Sequence, residues 1–418
     1  MTNRTGSPVP QGDSKAAWLE PGSAGPASGK HIASLDSVRG VAVLMVMASH
    51  YAGSMSVLGL TAIDRLPFRF GWAGVDVFFA LSGFLITGIL LDAKGRPGFF
   101  RNFYARRVLR ICPLYYAAIL VVFGLRAWLG PDSAWGATGS LLAPGSLLWP
   151  AVYLENAAIA LDGPLQTGIL THYWSLAVEE HFYLAWPLLV WACSRRMLGL
   201  VAAAAVVGSV LARAAAYAAG ADPLWVMGLT PLRLDGLALG ALASLALRSG
   251  WPVARRTWAA GLVFFGTCGV LGLTIVLRHS LSQFDPVIWV FGYTLVAAAS
   301  AALILAASVP GRAAAVLDLA VLRWFGKYSF GLYVWHPIIA VMLLHSGWAL
   351  LPDGQGAPAV VAATLFTIVL TLAVAWLSFH AFEKHFLALK VWFAREAPPD
   401  RVGRRVEAEP LCPAPTAR

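Results

Sequence analysis

The stretch WAGVDVFFALSGFLITGILLD at residues 72–92 decides the fold, because only Asp76 and Asp92 interrupt its uncharged side chains. A helix needs about 20 mostly apolar residues to cross a bilayer. The whole chain has the same character: 58% of its 418 residues are hydrophobic and 12% are charged, against about 25% charged in soluble domains. We therefore predict an all-α, polytopic membrane protein with about ten transmembrane helices.

Ten apolar stretches are long enough to be predicted as helical spans. They lie at about 34–56, 72–92, 111–130, 174–193, 197–217, 233–247, 257–277, 286–309, 328–348 and 358–382. A further stretch at about 141–161 contains two prolines and is either an eleventh span or a re-entrant segment. Residues 1–31 and 391–418 are predicted to be disordered cytoplasmic tails, which leaves one membrane domain at 32–390.

The distribution of basic residues favours ten spans over eleven. With ten, one set of loops carries fourteen basic residues, which are Lys94, Arg96, Arg101, Arg106, Arg107, Arg110, Arg195, Arg196, Arg248, Arg255, Arg256, Arg312, Arg323 and Lys327. The opposite set clearly carries only Arg65, Arg69 and Arg278. Because basic loops stay in the cytoplasm, both termini are predicted to be cytoplasmic, in the inner membrane. The same rule explains the net charge of +10 without nucleic acid.

The four cysteines show neither metal-site nor disulfide spacing. They are Cys112, Cys193, Cys268 and Cys412. The first three lie in or beside apolar stretches, where a free cysteine behaves as a small hydrophobic residue. We predict no metal site.

The first span contains two polar residues that the bilayer should exclude, Arg39 near its cytoplasmic end and His50 eleven residues later. That separation is about 16 Å at 1.5 Å per residue. A neutral imidazole can take a hydroxyl proton near neutral pH, so His50 is a candidate general base. The alternatives are a helix-packing hydrogen bond for His50 and a snorkelling anchor for Arg39.

The second span begins at Asp76, at a depth reachable from His50. The Asp76 carboxylate could fix the tautomer of that imidazole, or it could simply face water at the start of the helix. Ser82 and Gly83 lie in the middle of the span. They either allow close helix packing or line a channel.

A basic segment, FYARRVLRICPLYY at residues 103–116, follows the second span. Arg107 and Arg110 are three residues apart and share one helix face, with Arg106 and Arg101 nearby. Guanidinium groups bind phosphate oxygens bidentately, so this segment could clamp the nucleotide end of coenzyme A. The cytoplasmic location of basic loops explains the same residues without a ligand.

The fourth span begins THYWSLAVEEHFYL at residues 171–184 and contains adjacent carboxylates, Glu179 and Glu180. Ser175, Glu179 and Tyr183 share one helix face at four-residue spacing. A carboxylate at this depth needs a partner or a watery cavity, so Glu179 is either functional or part of an interhelical ion pair. Trp174 has the position of an ordinary interface aromatic residue.

Three further polar residues fall within predicted spans. Arg233 and Asp235 could pair with Glu179, line a polar pocket or form a plain interfacial charge pair. His336 precedes Pro337, a residue that kinks helices, and either supports the site or packs at the kink. Together, phosphate-binding candidates lie towards the cytoplasm, while a histidine, carboxylates and an arginine lie towards the outside. That arrangement suits an activated donor inside and an acceptor outside.

Five segments resemble, in the same order, the acyltransferase 3 family of integral membrane acyltransferases. They are Arg39 through His50, GVDVFFALSGFLI at 74–86, RRVLRICPLYY at 106–116, WSLAVEEHFY at 174–183 and YSFGLYVWHP at 328–337. The similarity covers about 32–385. It implies transfer of an acyl group, often acetyl, from cytoplasmic acyl-CoA to a hydroxyl. Acceptors in such families include envelope polysaccharides, lipopolysaccharide, peptidoglycan and macrolides.

The resemblance also implies residue roles. Arg39 and His50 match the essential pair, and Arg107 and Arg110 match the arginines that contact the donor. Glu179 matches the first carboxylate of the WSLxxE pattern and ranks above Glu180. Some relatives carry a hydrolase-like domain after the last span. We expect this chain, with its polar tail after about residue 390, to act without one, directly or with a separate partner.

The expected mechanism leaves two roles open for His50, because it could deprotonate the acceptor hydroxyl or briefly carry the acyl group. Glu179 or Asp76 would stabilise the charged imidazole. The competing functions are a transporter or flippase with a buried proton relay, another class of membrane O-acyltransferase, and acylation of a secondary metabolite. The lack of an internal repeat argues against a transporter. The acceptor, the acyl length and the oligomeric state stay open.

Overall fold

A computed structural model describes residues 32–65, 67–130, 148–162, 168–280, 282–345 and 356–393. Within these ranges every regular element is a helix and none is a strand, which confirms the predicted all-α fold. The predicted tails at 1–31 and from 394 onward, and part of the 141–161 stretch, lie outside them. Residues 391–393, predicted to belong to the second tail, are the end of a short 3-10 helix, Leu389–Phe393.

Within the described ranges, ten helices of 14 or more residues form the bundle. We name them α1 (Ala33–Val57), α2 (Ala73–Ala93), α3 (Phe99–Leu129), α4 (Trp174–Ala192), α5 (Arg195–Ala218), α6 (Leu234–Leu247), α7 (Val253–Arg278), α8 (Tyr293–Ala307), α9 (Ala320–Ala340) and α10 (Ala357–Ser378). Single π-turns precede α8 at Ile288–Gly292 and follow α9 at Val341–His345 and α10 at Phe379–Glu383. Short helices Leu148–Ala151 and Glu155–Asp162 lie in the described part of the stretch that could have been an eleventh span.

Seven helical segments of the described residues are long and apolar enough to cross a membrane. They include α1, α2, α3, α5, α7, α8 and α10. Helix α6 is apolar but has only 14 residues, and α4 and α9 are more polar because they carry the glutamates and His336. The protein is therefore polytopic, and the count of ten spans stays a prediction.

Helix α3 begins earlier than predicted. The sequence suggested a basic loop before a span at 111–130, whereas one continuous helix runs for 31 residues from Phe99 to Leu129. Such a helix is about 46 Å long, which exceeds a hydrocarbon core of about 30 Å. One end must therefore extend beyond the core, and Arg106, Arg107 and Arg110 lie on that regular helix.

Two helix crossings use glycine for close backbone contact. At Gly83 of α2 a Cβ atom would overlap the carbonyl oxygen of Leu237 on α6, and at Gly240 of α6 it would overlap that of Ala80. Helices α1 and α9 meet in the same way, with Gly326 against the carbonyl of Asp36. Small residues allow such approaches in membrane bundles, so Gly83 serves close packing.

The outer surface of the bundle is apolar. On α7, Phe265 is 74% exposed and Leu277 is 70% exposed. Large contiguous apolar surfaces are rare on soluble monomers, whereas lipid tails cover such surfaces at no cost. This surface agrees with the membrane location inferred from the hydropathy.

Candidate active site

Two histidines meet where α1 and α9 lie side by side. Nε2 of His336 is 3.1 Å from Nδ1 of His50, and their ring centroids are 4.9 Å apart. Gly40 on α1 contacts Leu322 and Gly326 on α9. Each histidine follows its contact glycine, Gly40 or Gly326, by ten residues, or about 15 Å of helix. The two helices are therefore parallel and in register between these contacts, and the glycine crossing sets the histidine pair.

The hydrogen bonds around this pair fix the tautomer of both rings. Nδ1 of His336 is 2.9 Å from the carbonyl oxygen of Leu332, and a carbonyl only accepts. A neutral His336 therefore has a protonated Nδ1 and a lone pair on Nε2. Nδ1 of His50 lies 3.1 Å from the carbonyl oxygen of Val46 and 3.1 Å from Nε2 of His336, which bears that lone pair. Because both neighbours accept, Nδ1 of His50 carries the proton. The lone pair of His50 is left on Nε2.

His50 is exposed although its partner is fully buried. His336 has 0% exposure, whereas His50 is among the exposed residues of α1. A base must be reached by its substrate, and a buried neighbour holds its orientation. The arrangement is that of an imidazole held in position by a buried neighbour.

A third histidine, His172, belongs to this cluster and was missed in the sequence reading. It lies on the 3-10 helix Gly168–Tyr173 that leads into α4, and its ring centroid is 5.9 Å from that of His336. It is 5% exposed, and neither ring nitrogen has a partner among the described residues. Its position two residues before Trp174 was visible in the sequence, but no spacing rule connects that position to His50.

Tyr333 joins the histidines to α4. Its hydroxyl donates to the carbonyl oxygen of His172 at 2.9 Å and forms a short hydrogen bond with the Ser175 hydroxyl. Ser175 was predicted to share a face with Glu179, one turn further along. The Tyr333 contact therefore holds α4 and α9 together directly beside the histidine pair.

Glu179 lies in a polar cluster that reaches from α4 to α2 and α3. The Ser82 hydroxyl donates to its Oε1 at 2.6 Å, and the Tyr183 hydroxyl donates to Ser82 at 3.0 Å. The guanidinium of Arg107 lies over the Tyr183 ring, 5.4 Å from its centroid. The positive charges of Arg107 and Arg39 both interact with Glu179 electrostatically. Ser82 therefore binds a carboxylate, while its neighbour Gly83 serves packing.

Glu180 lies beside this cluster without joining its hydrogen bonds. It is half-buried and interacts electrostatically with both Glu179 and Arg107. Glu179 thus receives the Ser82 hydroxyl, and the ranking of Glu179 above Glu180 stays a prediction.

The predicted arginines converge at one end of the bundle. Arg39 pairs with Asp36 on its own helix at 2.7 Å. Arg110 of α3 interacts electrostatically with Arg39, Arg107, Asp36 and Glu383. Arg39 thus lies by the arginines of α3, and His50 lies further along the same helix.

The remaining predicted charges form a separate buried network, which corrects two expectations. Asp76 was expected near His50, but it pairs with Arg233 at 2.8 Å. A contact with Glu179 was one of three alternatives for Arg233 and Asp235, but Asp235 pairs with Arg213 of α5 at 2.8 Å. In the described part of the chain, no hydrogen bond or ion pair connects Asp76 to His50. The physical reason is that the Asp76 carboxylate, in the first turn of α2, pairs with the full positive charge of Arg233, directly before α6, and not with an imidazole.

Aromatic rings surround the Arg233 guanidinium. It lies 3.7 Å from the centroid of Tyr293 and 5.6 Å from that of Trp174. Trp174 also packs edge-on against Phe79, at 6.0 Å between centroids. Its place in the interior shows a packing role for Trp174 in addition to any role at the membrane interface.

Two of the sequence predictions concern metals and thiols. Within the described ranges no group of three or more His, Cys, Asp or Glu side chains has the arrangement of a metal site. The prediction that the chain needs no metal remains a prediction. Cys112, Cys193 and Cys268 are free thiols, and Cys412 lies outside the described residues.

Polar side chains thus connect the arginine end of the bundle to the histidines. From Arg107 the contacts run through Tyr183 and Ser82 to Glu179, and one turn back along α4 Ser175 contacts Tyr333. Tyr333 lies one turn before His336, which contacts His50.

Known proteins resemble the chain over most of its length. The family described as "Acyltransferase domain" matches residues 32–380. A peptidoglycan O-acetyltransferase of Listeria monocytogenes is 30% identical over 334 residues, which cover 75% of this chain and 50% of that protein. A Bacillus subtilis protein, provisionally named a peptidoglycan O-acetyltransferase, is 27% identical over 385 residues, which cover 85% of this chain and 55% of its own length.

A Staphylococcus aureus protein with the provisional name of an O-acetyltransferase is 26% identical over 370 residues. These residues cover 85% of this chain and 57% of that protein. The chain therefore spans about half the length of the curated relatives it matches. No solved structure matches it.

Proposed function

The chain belongs to the acyltransferase domain family, and on that premise we propose that it is a membrane O-acyltransferase. It would move an acetyl group from acyl-CoA in the cytoplasm to a hydroxyl of a carbohydrate in the cell envelope. The names of the Listeria and Bacillus relatives support acetyl as the acyl group and a glycan as the acceptor. The single observation that carries the proposal is the exposed His50, whose Nδ1 contacts Val46 and His336, at the end of a row of polar contacts that begins at the arginines.

The donor would bind with its phosphates at the arginine end. Arg107 and Arg110 provide guanidinium groups that match phosphate geometry, and neither forms an ion pair with a carboxylate among the described residues. The flexible arm of coenzyme A would follow the row of Tyr183, Ser82 and Glu179 towards His50. Both termini and the arginine end would face the cytoplasm, in agreement with the basic loops.

In the transfer step, Nε2 of His50 takes the proton of the acceptor hydroxyl while the hydroxyl oxygen attacks the thioester carbonyl. The carbon–sulfur bond then breaks, and the coenzyme A thiolate leaves with the proton that His50 returns. No acyl-histidine is needed, because the base is protonated and deprotonated once in each turnover. The Nδ1 proton of the transient imidazolium is held by Val46 and His336 throughout.

The experiment that tests the function measures thioester cleavage by the purified protein in proteoliposomes. Acetyl-CoA on the outside reaches the cytoplasmic face of inside-out molecules, and free thiol and acetylated glycan oligomer are both quantified. We expect thiol release that depends on the acceptor, with one acetyl transferred for each thiol. A transporter or flippase would cleave no thioester, so the lack of thiol in active preparations would reject the enzyme.

Removal of two donor-binding charges should weaken donor binding. We expect Arg107→Gln and Arg110→Gln each to raise the KM for acetyl-CoA by about 10-fold or more, because a hydrogen bond to a charged group is worth about 1.5–3 kcal/mol. Steady-state kinetics with varied acetyl-CoA measures this. Arg101→Gln is the matched control, since Arg101 is exposed on the same helix. An equal effect of all three variants would indicate general surface electrostatics rather than a clamp.

Loss of the hydrogen-bond acceptor that His336 provides to His50 should lower kcat. In His336→Phe, Nδ1 of His50 loses one of its two acceptors, and the ring can adopt the unproductive tautomer or orientation. We expect kcat to fall by about 100-fold, with KM for acetyl-CoA little changed. His336→Gln should recover much of the rate, because its amide oxygen can accept from the same Nδ1. Equal losses in the two variants, both folded, would show that His336 only packs.

A further inference from the structure

The chain after α10 continues as a helical segment that reaches the arginine end of α3. We call Lys384–Phe393 the C-terminal segment; it comprises the short helix Lys384–Ala388 and the 3-10 helix Leu389–Phe393. The helical path from Ala357 to Phe393 has 37 residues, or about 55 Å of helix. Because a hydrocarbon core is about 30 Å thick, the C-terminal segment lies at or beyond its boundary.

The C-terminal segment packs on α3 beside the arginines. Nη1 of Arg106 donates to the carbonyl oxygen of Phe393 at 3.5 Å. Glu383, which directly precedes the segment, accepts from the Ser378 hydroxyl at 3.0 Å and interacts electrostatically with Arg110. The last described residues thus contact the arginine end of the bundle at several points.

Lys390 brings a further positive charge to this place. It is half-buried and interacts electrostatically with Arg110, Arg107 and Arg106. None of these four cations forms an ion pair with a described carboxylate. Glu383 and Asp36 interact electrostatically with Arg110, and Glu179 and Glu180 interact electrostatically with Arg107. Like charges at short range repel each other, and half-burial weakens their screening by water. An anion that binds among these cations would relieve the repulsion that the neighbouring carboxylates leave.

The cytoplasmic location of basic loops does not explain this convergence. That rule places charges on one side of the membrane, where loops can hold them apart in water. Here the cations come from two segments that are about 280 residues apart in the chain, and they share one half-buried site. A multiply charged anion is the ligand that such a site fits, because each added phosphate oxygen relieves repulsion and gains a charge-assisted hydrogen bond.

We propose that Lys390 is a donor-binding residue and that the 3-10 helix Leu389–Phe393 forms one wall of the phosphate site. The ligand class is the bisphosphorylated nucleotide of a coenzyme A thioester. This inference rests on the proposed function. It adds to the arginines of α3 one phosphate-binding side chain from the end of the bundle's last helix. The headgroup of an anionic lipid has similar phosphate chemistry, and the experiment separates the two.

The test uses the full chain in neutral-lipid proteoliposomes, with Lys390→Gln and the exposed Lys384→Gln as its matched control. We expect Lys390→Gln to raise the KM for acetyl-CoA and the inhibition constant of adenosine 3′,5′-bisphosphate by about 10-fold. Lys384→Gln should match the wild type in both. The variant's loss should fall on KM rather than kcat, which distinguishes a binding contact from a damaged fold.

Three outcomes would overturn the inference. Unchanged constants in Lys390→Gln, with an active wild type, would reject Lys390 and leave the proposed function intact. The site would be assigned to a lipid headgroup by two results together. In neutral lipid, Lys390→Gln would have the same inhibition constant for adenosine 3′,5′-bisphosphate as the wild type, and anionic vesicles would activate the wild type but not the variant. If Lys390→Gln and Lys384→Gln raise the two constants equally, the effect comes from the net charge of the surface and not from a specific contact of Lys390. Lack of thioester cleavage by the wild type is a separate result, which rejects the proposed function itself.

Discussion

His50→Ala is expected to lower kcat for acetyl transfer by about 10³-fold, within the range that a positioned general base contributes. The reason is geometric: Nδ1 of His50 is committed to Val46 and His336, at 3.1 Å each, so Nε2 is the nitrogen available to the substrate. The variant removes that nitrogen and leaves the arginine end of the bundle intact. Its KM for acetyl-CoA should therefore stay within about threefold of the wild type.

The matched control is His279→Asn. His279 is exposed at the end of α7, and its φ of 50° is one that asparagine tolerates. Thiol release and glycan acetylation are measured for both variants, together with their melting temperatures in detergent. Turnover by a folded His50→Ala protein within tenfold of the wild type would remove His50 from the chemistry.

The same variant separates the two roles that His50 could have. Added imidazole should partly restore turnover, because a small base can enter the space left by the exposed side chain. If His50 instead carries the acyl group, wild-type protein mixed with acetyl-CoA and no acceptor should gain the mass of one acetyl group, and His50→Ala should not. A stable acetyl adduct on His50 would contradict the single-step transfer.

The sequence singled out polar residues that the structure brings together, but it was a poor guide to their partners. Hydropathy placed α1 and α9 in the membrane, and the cost of embedding polar groups singled out His50 and His336 as separate candidates. Their contact depends on the crossing at Gly40 and Gly326, and a helical pattern alone does not specify which glycines of which helices meet. The pairing could therefore not be predicted from the sequence.

The partner of Asp76 could not be predicted from the sequence either, and here the predicted contact with His50 was wrong. Asp76 lies in the first turn of α2, and a predicted depth close to that of His50 suggested a tautomer-fixing contact. The position of α6 decided otherwise, because it brings Arg233 within 2.8 Å of Asp76. Depth along a helix follows from the sequence at 1.5 Å per residue, but rotation about the helix axis and the choice of neighbour follow from packing.

Arg233→Met is expected to destabilise the fold by about 3–5 kcal/mol, the usual result of removing one partner from a buried ion pair. Asp76 is 1% exposed and Arg233 is 2% exposed, so the variant would leave the carboxylate without a counter-charge in the interior. It would also lose the contact of the guanidinium with the Tyr293 ring, 3.7 Å from its centroid. The free energy of unfolding is measured by denaturant titration in mixed micelles.

A second substitution tests whether the charge is the cause. Adding Asp76→Asn to Arg233→Met removes the unpaired charge, and neutral replacements of a buried pair often match the original stability. We expect the double variant to recover most of the loss. Arg278→Gln is the matched control, because Arg278 pairs with Asp285 at a side-chain exposure of 46%, where an ion pair is worth about 0–1 kcal/mol.

The double variant also decides what Asp76 does in the reaction. Since Asp76 is held by Arg233 and forms no described contact with His50, we expect the refolded double variant to acetylate its acceptor at a rate within about tenfold of the wild type. A stable double variant that has lost turnover would return Asp76 to the catalytic centre. An Arg233→Met protein as stable as the wild type would show that the Asp76 carboxylate is neutral, or that water reaches it in the membrane.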